Sequence, residues 1–150
     1  CASFIIKYYK LYYMLNNILN QLFEYSYHYI EVRNDPNLNM PGFSFIEKDI
    51  NERFKPIILI NLDLIPKQID ILAHVIAHEW GHHVLRHISL VPPHSSQMPS
   101  SEERQEKENE ADTYAALFIK EFFYNKKPIE KFILDCNFDC DNRINILNSV

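Results

Sequence analysis

Glycine is nearly missing from this chain: its 150 residues include two, Gly42 and Gly81. Loops that cradle phosphates with glycine backbone need several at fixed spacing, so that class of site is excluded. A turn-rich all-β fold, which draws on glycine for its tight turns, is disfavoured for the same reason. Positive charge is also short. Fifteen Lys and Arg face twenty Asp and Glu, for a net charge of −5, with no basic stripe. A nucleic-acid partner, held by neutralising phosphates, is therefore not expected. Three cysteines, Cys1, Cys136 and Cys140, are too few and odd in number for a disulfide framework. Cys136 and Cys140 read as two free thiols, with pairing or metal binding as alternatives. No run has the length and apolarity of a membrane span. The most apolar stretch, 4–22, carries Lys7, Lys10, Asn16, Asn17 and Asn20.

What is present is ordinary for a globular protein: 47% apolar and 23% charged residues. The length fits one domain, 1–150, able to bury one core. A soluble protein is expected, with an intracellular location favoured. The cysteine at position 1 suits a processed product, including a lipid-anchored one. The enrichment in Asn, Ile, Lys and Tyr hints at an AT-rich genome.

Phe4, Tyr8, Leu11, Leu15, Ile18, Leu22, Tyr25 and Tyr29 alternate steps of four and three. That spacing predicts one long amphipathic helix over 3–33, packed on the domain's own core. A coiled-coil partner is the alternative, for which the tyrosines are poorly suited. Asp35-Pro36 and Pro41-Gly42 bound a loop over 34–42. Strands are expected over 43–48 and, more strongly, over 56–62, where Pro56-Ile57-Ile58-Leu59-Ile60-Asn61-Leu62 is β-branched and apolar. Pro66 is placed to open a helix reaching about Ser89. The prolines and serines of 90–100 read as a loop. Ser100 and Glu103 fit a capping box for a helix over 101–124. Pro128, Ile129, Phe132 and Ile133 predict a short helix, and 139–149 a last one. The class is α+β, mostly helical with a small sheet. It divides into an N-terminal helix (1–34), a core (55–122) and a C-terminal helical tail (125–150).

Chemistry concentrates at His78-Glu79-Trp80-Gly81-His82, an HExxH motif. Residues i and i+4 share a helix face, so two imidazoles can bind one cation. Glu79, one step round, can take a proton from water there without being a ligand. A catalytic zinc site needs a third protein ligand and an open position. The best candidate lies in Glu106-Lys107-Glu108-Asn109-Glu110-Ala111-Asp112. Glu108 and Asp112 again share one face. With Glu108 as ligand, Asp112 falls where it can accept a hydrogen bond from a metal-binding histidine, His78 foremost. Glu106 and Glu110 are the fallback ligands, because helix phase is not fixed to one residue by sequence. Read alone, these acids would be a solvated face near a helix N-terminus. His87 lies nine residues after His78, without the glycine turn that three-histidine proteases use, and is rejected as a ligand. His74 reads as a buried structural residue that could line the site. His83 is expected to point away.

HExxH followed by a helix bearing Glu-x-x-Ala-Asp resembles the glutamate-ligand zincins, the gluzincins. Ala77 to His87 is similar to the CAAX-protease and HtpX heat-shock protease family. It is similar also to the ImmA/IrrE metallopeptidases and to the soluble minigluzincins. The resemblance spans roughly 55–122. It implies a zincin-like fold, one Zn²⁺ held by His78, His82 and Glu108, Glu79 as general base and Asp112 behind a ligand. The implied activity is a metalloendopeptidase acting on proteins or peptides. HtpX-type enzymes carry membrane helices, and ImmA/IrrE proteins commonly have Asn where Asp112 stands. The resemblance further implies an edge strand, 43–48 or 56–62, that pairs with an extended substrate. Tyr114, His74 and Arg143 are the candidates for a transition-state donor. A non-catalytic or zymogen-like zinc-stabilised interaction module is the competing expectation, with Cys136 or Cys140 masking the metal in the zymogen form. A zinc hydrolase acting on other bonds has no residue pattern behind it.

Overall fold

The β-branched run after Lys55 becomes the middle of a sheet. The computed structural model describes residues 2–88, 100–136 and 138–150, with side chains from residue 9 onward. In it β3 (Phe54–Ile60) lies between β1 (Glu31–Asn34) and β2 (Gly42–Lys48). β1 pairs with β3 in parallel, Glu31 opposite Ile57, and β2 pairs antiparallel, Gly42 opposite Ile60. Pro56 sits before the β1 pairing begins, which suits a residue without an N–H. Ile57, Ile58 and Ile60 are buried, as a central strand requires.

The expected first helix is shorter than its apolar stripe. α1 (Ala2–Ser26) stops because Ser26 Oγ turns back to Leu22 O at 2.7 Å and Tyr27 takes φ 55°. The residues that follow leave the helix for the sheet. Ile30 buries and Glu31–Asn34 gains a ladder of hydrogen bonds, which outweighs the continued helical spacing of Tyr29, an 83% exposed side chain. The unit 1–34 is thus a helix and a strand. The side chains of Phe4 and Tyr8 fall outside the described residues, as do Cys1 and positions 89–99 of the expected loop. Leu11, Leu15, Ile18, Leu22 and Tyr25 face the core as expected.

α2 (Ile69–Val84) is the axis of the molecule. Every residue from Ile71 to His82 is buried, so it is covered on all sides. It starts three residues after Pro66, because Pro66 O accepts from Gln68 N and Gln68 is held extended as the N-cap. A one-turn 3₁₀ helix, Leu62–Leu64, precedes it. It ends at Val84, short of Ser89, in a chain reversal at Arg86, φ 58°. α3 (Ser101–Glu121) is capped by Ser100 Oγ, which accepts from Glu103 N at 3.2 Å. It packs on α2 through Ala115, Phe118 and Ile119. α4 (Lys126–Cys136) and α5 (Cys140–Asn148) close one side through Ile129, Ile133 and Leu147. Each such buried aliphatic side chain contributes about 1.5–3 kcal/mol. Trp80, 2% exposed, donates from Nε1 to Ser26 Oγ at 2.9 Å and pins α2 to the end of α1. The protein is α+β and mostly helical, and no helix among the described residues is long and apolar enough to cross a membrane.

Candidate metal centre

One turn of α2 separates His78 from His82, and the two rings face the same side of the helix, centroids 4.8 Å apart. Their Nε2 atoms are 3.2 Å apart. Glu108, from the antiparallel face of α3, spans the pair. Its Oε2 is 3.1 Å from His78 Nε2 and its Oε1 3.1 Å from His82 Nε2. A tetrahedral ion with arms of about 2.0–2.1 Å has ligand–ligand edges of about 3.3–3.4 Å. The ring-to-ring separation and the approach of one Glu108 oxygen to each ring are within a few tenths of an ångström of that length, and one ligand atom from each residue lies within 4.8 Å of the others, so this group can hold a metal ion. Among the described residues no other group of three His, Cys, Asp or Glu converges in this way.

The surroundings are built for positive charge. Burial opposes a charge on His78, but the carboxylates of Asp112 and Glu108 outweigh it and move its pKa up to about 10. Burial pushes Glu108 upward, and the two histidines nevertheless hold it well below the carboxylate range. Asp112 is treated likewise: burial raises it, His78 and Arg143 prevail, and it falls to about 2. Asp112 Oδ1 is 2.8 Å from His78 Nδ1. Arg143, from α5, donates to Asp112 through Nε at 3.0 Å and Nη2 at 3.2 Å. The outer nitrogen of His78 is therefore held by a carboxylate that is itself clamped.

Glu79 is buried beside the pair. Ser44 Oγ on β2 lies 2.5 Å from Glu79 Oε2 and 3.0 Å from its carbonyl oxygen. β2 can come this near because Gly42 has no side chain: a Cβ there would stand 2.9 Å from Glu79 Cγ. The other glycine, Gly81, performs the same service for α3, where a Cβ would meet Tyr114 Cβ at 3.0 Å. A cleft of about 540 Å³ opens onto His78, Glu79 and Glu108, lined also by Met40, Pro41, Phe132, Cys136 and Phe138.

His78, Glu79, His82, Glu108 and Asp112 thus come together as the spacing predicts. The fallback acids do not join them. Glu106 is exposed, and Glu110 Oε2 pairs with His87 Nε2 at 2.8 Å. His83 points to the sheet, its Nε2 2.9 Å from Ile57 O. His74 is 3% exposed in the cleft wall, where burial lowers its pKa to about 3 and keeps the ring neutral. Tyr114 does not line the cleft. Its ring packs edge-on against Tyr25 behind Gly81, which removes it as a donor to a substrate there. Arg143 does line the cleft, so the site extends beyond 55–122 into the tail. The middle strand β3 has both edges paired, which among the described residues leaves β2 as the edge strand beside Glu79. Cys136 and Cys140 are free thiols. Ser44 and the link from His82 to His87 lie beyond the motif. No local pattern marks Ser44, whereas the sequence does show a histidine five residues past His82.

Comparison of the chain with protein-family models, with curated proteins and with solved structures finds no match in any of the three.

Proposed function

We propose that this protein is a zinc-dependent endopeptidase of the gluzincin type. The reading is carried by one observation: three donors from two helices meet at ligand spacing with the Glu79 carboxylate beside them. Two neutral imidazoles and one carboxylate form a borderline donor set that suits zinc, and three protein ligands leave a position open. When bound, zinc supplies a Lewis acid that polarises a carbonyl and makes water acidic near neutrality. The chain's own residues do the rest. Glu79 accepts a proton from the attacking water and passes it to the leaving amine. Ser44 keeps that carboxylate from swinging away. Asp112 holds the His78 proton on Nδ1, which leaves Nε2 free to coordinate. Among the described residues the outer edge of β2 pairs with no other strand, and its backbone groups beside Glu79 would take an extended peptide.

The test is Glu79→Gln, assayed for zinc content and for cleavage of a denatured protein. Zinc is expected to stay stoichiometric while cleavage falls by roughly 10²–10⁴, the usual contribution of general-base catalysis. Undiminished cleavage by a zinc-loaded variant would rule out this mechanism. A wild type that holds zinc and cleaves nothing points instead to a zinc-stabilised interaction module.

A further inference from the structure

An imidazole that offers its Nε2 lone pair to a cation must carry its proton on Nδ1, and that proton needs an acceptor. His78 has Asp112. The atom facing His82 Nδ1 is another imidazole nitrogen, His87 Nδ1, at 3.0 Å. Two nitrogens in contact share one proton. When His82 donates it, His87 Nδ1 must be bare, so the His87 proton sits on Nε2. That atom is 2.8 Å from Glu110 Oε2, an acceptor. Each choice compels the next. The opposite assignment puts a bare His87 nitrogen against a carboxylate and a proton on His82 Nε2, where the cation belongs.

The backbone is shaped to deliver this contact. Arg86 N donates to His83 O at 3.1 Å and His87 N to His82 O at 2.8 Å, the paired bonds of a Schellman turn. The turn needs a left-handed residue, and here it is Arg86, at φ 58°, where a side chain costs about 1–2 kcal/mol. The reversal folds His87 back over the ring it serves, centroids 5.2 Å apart, with a side chain only 6% exposed.

We infer that His87 and Glu110 are a positioning pair for His82: a histidine relay ending on a carboxylate that fixes the tautomer and aim of the second metal ligand. The inference rests on the metal-centre reading above. It is tested by zinc affinity, measured in competition with a chromogenic chelator, and by nitrogen–proton correlation spectra of the histidine rings. His87→Ala is expected to weaken zinc about 10–100-fold. His87→Asn, whose side-chain oxygen can still accept from His82 Nδ1, is expected to stay within a few-fold of wild type. Glu110→Ala is expected to cost less than His87→Ala and to add nothing in the His87→Ala background, because Glu110 acts only through His87. In zinc-loaded wild type the protons should lie on His82 Nδ1 and His87 Nε2. The inference is overturned by wild-type affinity in His87→Ala when His78→Ala has lost zinc. It is equally overturned by an Asn variant as weak as Ala, or by a proton on His87 Nδ1. Should His87→Ala fail to fold, the wild-type spectra and the Asn variant decide. Wild-type protein that takes up no zinc overturns the metal centre itself, a different result from either.

Discussion

A methyl group on Gly42 and a methyl group on Gly81 would meet different kinds of neighbour, and that difference predicts different losses. At Gly42 the nearest atoms, 2.9–3.4 Å away, are Cγ, Oε1 and Cδ of one side chain, the buried Glu79 held by Ser44. A side chain can turn where a backbone cannot, so Gly42→Ala should cost the fold less than Gly81→Ala and misplace the base by drawing its carboxylate off Ser44. Displacing a reacting group by about an ångström costs on the order of 100-fold. Cleavage is expected to fall roughly 10–100-fold, with zinc affinity unchanged. At Gly81 the neighbour is Tyr114 Cβ at 3.0 Å, fixed to the backbone of α3. Overpacking there costs about 1–3 kcal/mol, against about 1 kcal/mol gained by replacing a helical glycine with alanine. Gly81→Ala should therefore lower the melting temperature by a few degrees, and an unchanged melt would show that α3 shifts freely. The scarcity of glycine was legible in the sequence. Close packing at Gly81, inside the HExxH turn, was legible too; that Tyr114 is what packs there, and that Gly42 meets Glu79, was not, because topology brings those residues together.

Helix bodies and helix ends were legible to different degrees. α3 begins at Ser101 after the Ser100 cap, and α4 covers the Ile129, Phe132 and Ile133 spacing, because periodicity and capping residues are local signals. The ends of α1, α2 and α3 carry no glycine. They close instead on Tyr27, Arg86 and Phe123, all in the left-handed region. A chain with its two glycines committed elsewhere has no local flag for these stops, which is why the first helix looked longer than it is. Phe123 gives a direct measure of the cost. It is 94% exposed, at φ 60°, and its neighbour Tyr124 N donates to Ile119 O at 3.0 Å to finish the turn. Almost no burial is lost by removing the ring, while glycine relieves the left-handed strain. Phe123→Gly is expected to stabilise the protein by about 1 kcal/mol, or about 2–4 °C in melting temperature. Phe123→Ala, which keeps a Cβ in the same conformation, should bring no such gain. Equal effects from the two would mean that the exposed ring, not the backbone, sets the balance.

At the scale of the whole molecule, the HExxH turn and the Glu108–Asp112 face were readable because each lies within one helix. The partners that hold them were not, since Ser44 reaches Glu79 from another layer and Arg143 reaches Asp112 from the tail. The same assembly makes acid stability a property of one helix. His74 is buried, and burial depresses its pKa from 6.5 to about 3, against the pull of Asp112 and with the help of Arg143 and His78. Unfolded, it binds a proton near pH 6.5; folded, it refuses one until about pH 3. Between those values the unfolded state holds more protons, so stability falls as pH falls, by about 1.4 kcal/mol per unit once well below 6.5. His83, also lowered by burial, adds in the same direction. His78 is shifted the other way, and its contribution is complete below 6.5, being lost only as pH rises toward 10. Asp112 and Glu108 have lowered values, so their contributions persist until pH drops below the ordinary carboxylate range. The interval from 6.5 to 4.5 therefore belongs chiefly to His74. Metal-free protein should lose roughly 2–3 kcal/mol across it, or about 5–10 °C in melting temperature. His74→Leu, which fills much of the same space without a titrating group, should flatten most of that slope. Parallel slopes for wild type and variant would locate the acid sensitivity elsewhere and would mean that His74 takes up its proton in the folded state.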